Sequence, residues 1–78
     1  MAKVKIYYFG FLSELSGKSY DEVELPERAG VKVKELVNER IKPFLDTIII
    51  LVNDVSVTPD KRVKPGDTVK LLPHIGGG

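Results

Sequence analysis

The feature that most constrains the fold is one helical stripe set between two groups of strand-like segments. Apolar residues recur here with the spacing of an amphipathic helix, and the stripe consists of Val33, Leu36, Val37, Arg40 and Ile41, with Arg40 at its margin. The pattern predicts a helix over about residues 32–41, which Pro43 should end. Lys32 stands where a capping Ser, Thr or Asp would be expected. A single helix can cover only one face of a sheet, so the other face should stay partly open.

Two strand-like segments precede this helix. Alternation of side-chain character predicts strands over residues 3–9 and 19–25, and we expect them to pair as a hairpin. Between them, residues 11–16 could form one helical turn that Gly17 closes.

The remaining strand signals follow the helix. The β-branched run Thr47–Val52 predicts a strand, and Asn53-Asp54 predicts a tight turn because both residues tolerate left-handed backbone. Val55–Val57 reads as a short edge strand and Thr68–Leu72 as the last strand. The expected class is therefore α+β, a mixed sheet of about five strands with one main helix on one face.

Strand alternation also predicts what the open face carries. If Ile50 and Val52 point at the helix, the residues between and before them point away. The same reasoning applied to the first and last strands predicts an exposed apolar patch leading towards the C-terminus. Its members, which we call the outer patch, are Tyr7, Phe9, Ile49, Leu51 and Leu72. An exposed patch of this kind usually marks a partner site.

Composition excludes several classes of function. The 78 residues contain no Cys and one His, His74, so thiolate chemistry and Cys-ligated metals are excluded, and a metal site is not expected. The net charge of +1 is spread over charges of both signs, so a nucleic-acid surface is not expected. We see no signal peptide or membrane span and expect a cytoplasmic protein. The absence of Gln and the abundance of Lys and Glu indicate a thermophilic source.

The chain ends in PHIGGG, and this ending belongs to a wider resemblance. VKIYYFGFLSELSG, ILVND and KPGDTVKLLPHIGGG resemble the opening strand and turn, the central strand and the ending of the MoaD/ThiS family of sulfur carriers. These proteins have the ubiquitin-like β-grasp fold, and the likeness is strongest to the molybdopterin synthase small subunit. Three residues depart from the usual pattern: Asp54 where Gly is common, His74 where a second Pro is common, and Gly76 where Ser, Thr or Ala is common.

The resemblance implies that the chain consists of a folded domain and a reactive tail. Residues 1–73 should form the β-grasp domain and residues 74–78 a flexible tail. Gly78 is the reacting residue: an E1-like enzyme would use ATP and Mg²⁺ to adenylate its carboxylate, which sulfur would then convert to a thiocarboxylate. The outer patch would dock on partners together with the residues that lead to Gly78, namely His74, Ile75, Gly76 and Gly77. Glycine has no Cβ, which suits a tail that threads a narrow channel.

The resemblance leaves the acceptor of the activated tail open. In the first interpretation the chain gives sulfur to the large subunit of a molybdopterin synthase, as a co-substrate that is not an enzyme alone and binds no permanent cofactor. In the second it is a ubiquitin-like modifier joined through Gly78 to target proteins. In the third it is a thiamin-type sulfur carrier, and a binding module with an inert tail comes last.

Overall fold

The computed structural model describes residues 3–25 and 30–74. Helices are short in this structure and strands dominate. A 3-10 helix spans Lys42–Thr47. The other elements in chain order are β1 (Lys3–Tyr8), α1 (Phe11–Ser16), β2 (Tyr20–Glu24), β3 (Val31–Lys32), α2 (Val33–Leu36), β4 (Ile48–Val52), β5 (Val55–Val57), β6 (Arg62–Val63) and β7 (Thr68–Pro73).

Five strands form one mixed sheet in the order β2-β1-β7-β4-β5. The first strand runs parallel to the last, and the other neighbours are antiparallel. The last strand therefore lies at the centre of the sheet, and the chain leaves from that position. This arrangement confirms the predicted five-stranded mixed sheet and the predicted hairpin of the first two strands.

One buried core joins the sheet to the helical segments. Its sheet side includes Ile6, Ile50 and Leu71, each at most 2% exposed. Its other side comes from the helical segments and the turn between them: Leu12, Val33, Val37, Ile41 and Leu45. All helical segments that the structure describes thus pack on one face of the sheet, and the opposite face is open as predicted.

The predicted helix over residues 32–41 is wrong in its extent. Helix α2 spans only Val33–Leu36, and Val37 has extended backbone. The backbone N–H of Asn38 donates to the hydroxyl of Tyr8 at 3.1 Å, and the Asn38 side chain accepts from the N–H of Arg40 at 2.9 Å. These bonds replace the helical ladder and begin a new turn.

Pro43 also acts differently from the prediction. It lies in the first turn of the 3-10 helix, where proline is favoured because its N–H is not required. The helical segment is therefore divided in two, and Pro43 helps to begin the second part. The weak start at Lys32 is confirmed: its side chain caps nothing, and its backbone N–H instead donates to Glu35 Oε2 at 3.1 Å.

Two other local features complete the fold. The turn at Asn53 and Asp54 has positive φ at both residues, 50° and 69°, which is the backbone of a type I′ hairpin turn. A two-stranded sheet formed by β3 and β6 pairs Val31 with Val63 and was not predicted. Within residues 3–25 and 30–74, no helix is long and apolar enough to cross a membrane.

Candidate functional site: the open sheet face and the chain exit

The open face of the sheet carries two rows of residues that run across the strands. In the first row, Tyr7 and Leu51 both pair with Lys70, which lies between them. In the second row, Ile49 pairs with Leu72. Phe9 N–H donates to the carbonyl of Leu71 at 3.0 Å, which extends the β1–β7 ladder and places Phe9 beside this second row.

The structure therefore brings the five members of the outer patch together on the face that was predicted. Phe9 is 40% exposed, and the other four are half-buried. Leu51 and Leu72 are thus less exposed than the fully open positions that alternation predicted. None of the five belongs to the buried core or to the apolar residues packed against it. The patch is available for a partner.

Lys70 is a member of this surface that was not included among the predicted site residues. Its Nζ lies 3.1 Å from Asp54 Oδ1, in the turn that follows β4. The pair places a positive charge within the first row, between Tyr7 and Leu51, and a negative charge in the adjacent turn. Strand alternation predicted that Lys70 lies on this face. Its ion pair with Asp54 was not predicted, because it depends on how the turn after β4 folds.

Tyrosine packing extends the patch towards β2. The ring centroids of Tyr7 and Tyr20 are 5.0 Å apart. The Tyr20 hydroxyl donates to Glu22 Oε2 at 2.6 Å, and this hydrogen bond is the main cause that raises the pKa of Tyr20 to about 12. The same bond, aided by the positive charges of Lys3 and Lys5, lowers the pKa of Glu22. Tyr20 is therefore a packing residue held in a defined position.

The open face is divided into an apolar and a charged part. The charged part lies at the beginning of β1, where Lys3 Nζ is 3.7 Å from Glu22 Oε1. The apolar part lies at the other end, where β1 ends near Phe9 and β7 ends near Leu72. The chain exit is at this apolar end.

Pro73 marks the chain exit and packs against Gly10. It is the last residue of β7 and pairs with Ile48, the first residue of β4. Gly10 has φ of 58°, a backbone angle that L side chains rarely adopt, and a Cβ there would lie 2.8 Å from Pro73 Cγ. Glycine is required at this position by both its backbone and its contact. Gly10 was not among the predicted site residues.

The tail itself begins just beyond this contact. His74 is exposed. The predicted tail residues Ile75, Gly76, Gly77 and Gly78 lie outside the described residues. Among residues 3–25 and 30–74, no group of three or more His, Cys, Asp or Glu side chains could hold a metal ion.

Comparisons with known proteins agree with this geometry. A sequence model of the ThiS family matches residues 6–78. A Pyrococcus furiosus protein assigned provisionally as molybdopterin converting factor subunit 1 is 33% identical, with 94% of this chain and 98% of that chain covered and a TM-score of 0.70. Among curated protein sequences, none matches.

Two further solved structures share the fold at lower identity. SAMP1 from Haloferax volcanii is 18% identical, with 97% of this chain and 99% of that chain covered and a TM-score of 0.76. A complex of subunits 1 and 2 of the molybdopterin-converting factor from Helicobacter pylori contains a match of 24% identity, 97% and 99% coverage and a TM-score of 0.61. This chain therefore belongs to the ThiS family and has the ubiquitin-like β-grasp fold of its sulfur carriers.

Proposed function

We propose that this chain is a sulfur carrier of molybdopterin synthesis that holds sulfur as a thiocarboxylate on Gly78. The observation that carries the proposal is the reach of the family match, which extends to residue 78 and so includes the terminal glycines. In the structure, the last strand β7 lies at the centre of the sheet and ends at the edge of the outer patch. A carrier needs both features, a tail that can react and a surface that brings it to an enzyme.

The reaction requires activation of the Gly78 carboxylate, because a carboxylate is a poor electrophile. An E1-like enzyme would bind ATP and Mg²⁺, and the carboxylate oxygen would attack the α-phosphorus and release pyrophosphate. Hydrosulfide would then attack the carbonyl carbon of the acyl adenylate. The new C–S bond would form as the C–O bond to AMP breaks, so AMP would leave and a thiocarboxylate would remain.

The residues of this chain would position the tail for that chemistry. The contact between Gly10 and Pro73 fixes the direction in which the last strand ends. The outer patch lies beside that end and would be covered by the partner. Beyond His74, residues without side chains would allow the carboxylate to pass through a channel too narrow for a Cβ. The domain is thus a co-substrate, and the catalytic groups belong to its partners.

The large subunit of a molybdopterin synthase is the proposed acceptor of the sulfur. The 33% identity with a protein assigned as converting factor subunit 1, over nearly the whole of both chains, supports this choice. The Helicobacter pylori structure contains subunits 1 and 2 together, and its subunit 1 component would correspond to this chain.

Intact mass spectrometry tests the proposal. The chain is incubated with the adenylating enzyme of its own organism, ATP, Mg²⁺ and sulfide, and we expect a gain equal to the difference between sulfur and oxygen. Gly77→Ala should reduce the yield far more than His74→Ala, because a Cβ beside the reacting carboxyl obstructs the channel. Equal yields for the two variants, or no gain by the unmodified chain, would contradict the proposal.

A second candidate function is that of a ubiquitin-like protein modifier. SAMP1 of Haloferax volcanii, whose name denotes a small archaeal modifier protein, shares the fold over nearly the whole chain. The two functions begin with the same adenylate and differ in the nucleophile that follows, sulfur in one and a lysine amine in the other. Isopeptide-linked conjugates that end in Gly78, isolated from native cells, would favour the modifier.

A further inference from the structure

Two phenylalanines are exposed on the helical side of the molecule, away from the outer patch. Phe11 is 45% exposed and Phe44 is 38% exposed. Their ring centroids are 6.3 Å apart in an edge-to-face arrangement with an interplanar angle of 80°. Neither residue belongs to the buried core. We call these two residues the phenylalanine pair.

The backbone holds both rings in place. Phe11 begins α1, and the next residue, Leu12, is fully buried. Phe44 lies in the 3-10 helix just before buried Leu45, and its carbonyl accepts a hydrogen bond from the Thr47 hydroxyl at 2.9 Å. Each ring is thus fixed on an anchored turn, so a partner could bind it with little loss of conformational entropy.

The phenylalanine pair borders the chain exit. Phe11 follows Gly10 directly, and Gly10 lies against Pro73. The 3-10 helix that carries Phe44 leads into Ile48, which pairs with Pro73. Strand alternation puts Leu72 on the open face and Pro73 on the helical face. The chain therefore leaves between two apolar surfaces, the outer patch on one side and the phenylalanine pair on the other.

The length of the remaining chain limits how far away a partner can be. In the proposed function Gly78 carries the reacting carboxylate, and Gly78 lies four residues after His74. A fully extended chain spans at most about 3.6 Å per residue, so the terminal carboxylate reaches at most about 14 Å beyond this point. An enzyme that holds the carboxylate in an enclosed site must bring the mouth of its channel close to the exit. Its surface then meets the surfaces on both sides of Pro73.

We infer that the phenylalanine pair is a second contact surface for the adenylating enzyme, received by an apolar recess at the mouth of its tail channel. This inference rests on the proposed function, since it assumes that the carboxylate is adenylated. The enzyme would contact the carrier on both faces, at the outer patch on one and at the phenylalanine pair on the other.

Steady-state kinetics of ATP–pyrophosphate exchange test the inference. The double variant Phe11→Ser/Phe44→Ser should raise the KM for the carrier by about tenfold or more, since aromatic anchors contribute a large share of binding energy. The kcat should be unchanged, because the tail and its glycines are intact. The matched control is Val55→Ser, which alters a 63% exposed apolar residue at the opposite end of β4 from the chain exit and should leave KM unchanged.

A second measurement does not depend on how the variant folds. The ring signals of Phe11 and Phe44 in the unmodified carrier are followed by NMR as the adenylating enzyme is added, and we expect both to shift or broaden. Unchanged ring signals, or a double variant with normal KM while the unmodified chain is adenylated, would overturn the inference alone. Loss of binding only to a molybdopterin synthase large subunit would overturn it as well. Failure of the proposed function is distinguishable, because the unmodified chain would then not be adenylated.

Discussion

Two adjacent residues of β4 provide the sharpest test of how the sheet is divided into a core face and a docking face. Ile50 is 2% exposed and packs in the core, whereas Leu51 is half-buried on the open face. We consider Ile50→Glu and Leu51→Glu, which introduce the same charge one residue apart. Because strand side chains alternate, the two variants should affect different properties of the protein.

The magnitude for Ile50→Glu follows from its burial. Truncating a buried Ile alone costs about 2–5 kcal/mol. The introduced carboxylate would also be desolvated without a partner, which adds several kcal/mol unless it is protonated. A domain of 78 residues has a total stability of about 4–12 kcal/mol. We therefore expect little or no folded protein.

The magnitude for Leu51→Glu is much smaller. Complete burial of a Leu contributes about 1.5–3 kcal/mol, and half of that burial corresponds to about 1 kcal/mol. The introduced carboxylate would lie directly across from Lys70, and an opposite-charge pair across strands returns about 0.2–1 kcal/mol. The net cost should be below about 1 kcal/mol, or at most about 4–8 °C in the thermal midpoint.

Thermal melting by circular dichroism and titration with the adenylating enzyme measure the two effects. Leu51→Glu should melt near the unmodified protein and bind much more weakly, because its charge would enter an apolar interface. If Leu51→Glu unfolds the protein while Ile50→Glu is tolerated, the core and docking faces are exchanged. If Leu51→Glu folds and binds normally, the outer patch is not the docking surface.

Three further predictions concern the tail, the chain exit and the tyrosine contact. Deleting residues 77–78 should abolish adenylation and leave the thermal midpoint unchanged; full adenylation would contradict the carrier proposal. Gly10→Ala should lower both the thermal midpoint and the kcat of adenylation, because its Cβ would clash with the Pro73 ring. Combining it with Pro73→Ala removes that ring and should restore part of the kcat. If the kcat is not restored, the clash with Pro73 is not what misdirects the tail. The raised pKa of Tyr20 stabilises the fold fully below the ordinary tyrosine value and less as pH rises from about 10 to about 12. Glu22→Gln should lower that pKa, as measured by NMR titration of the Tyr20 ring; an unchanged pKa would exclude the carboxylate as its cause.

The two faces of the sheet could be predicted because they depend on a short-range rule. Successive side chains in a strand point to opposite faces, so once Ile50 is placed in the core, Leu51 must point away. The turn at Asn53 and Asp54 was equally predictable, because few residues adopt positive φ and these two do so readily. The outer patch followed from these local rules together with the expectation that one face lacks helices.

The extent of the helix could not be predicted, because a distant contact decides it. Val33, Val37 and Ile41 are buried as the helical stripe requires, so the pattern correctly identified which residues face the core. The backbone between them is nevertheless not one helix. The hydroxyl of Tyr8 accepts a hydrogen bond from the backbone N–H of Asn38, which lies 30 positions later in the sequence. This N–H therefore does not form a helical hydrogen bond. The apolar pattern of residues 32–41 gives no indication of this hydrogen bond.

The phenylalanine pair and the Gly10 contact were missed for the same reason. Each exists only because the chain exit, α1 and the 3-10 helix meet at one end of the sheet. In the sequence, Phe11 and Phe44 are separated by a strand and a helix, and Gly10 and Pro73 lie near opposite ends of the domain. Exposed aromatic residues standing singly would need no explanation. Only their placement around one strand end makes them a candidate surface.

The uneven distribution of apolar residues on the open face supports the proposal that the outer patch serves docking. A small domain always leaves some apolar area in water, and a random remainder would be scattered over that face. Here the beginning of β1 carries ion pairs such as Lys3 with Glu22, which keep that part of the face hydrated. The apolar residues are concentrated towards the end from which the chain leaves, where Leu72 lies in the last strand and Phe9 lies beside it. Solubility does not require apolar residues at this position, whereas the proposed docking requires them beside the end of the last strand.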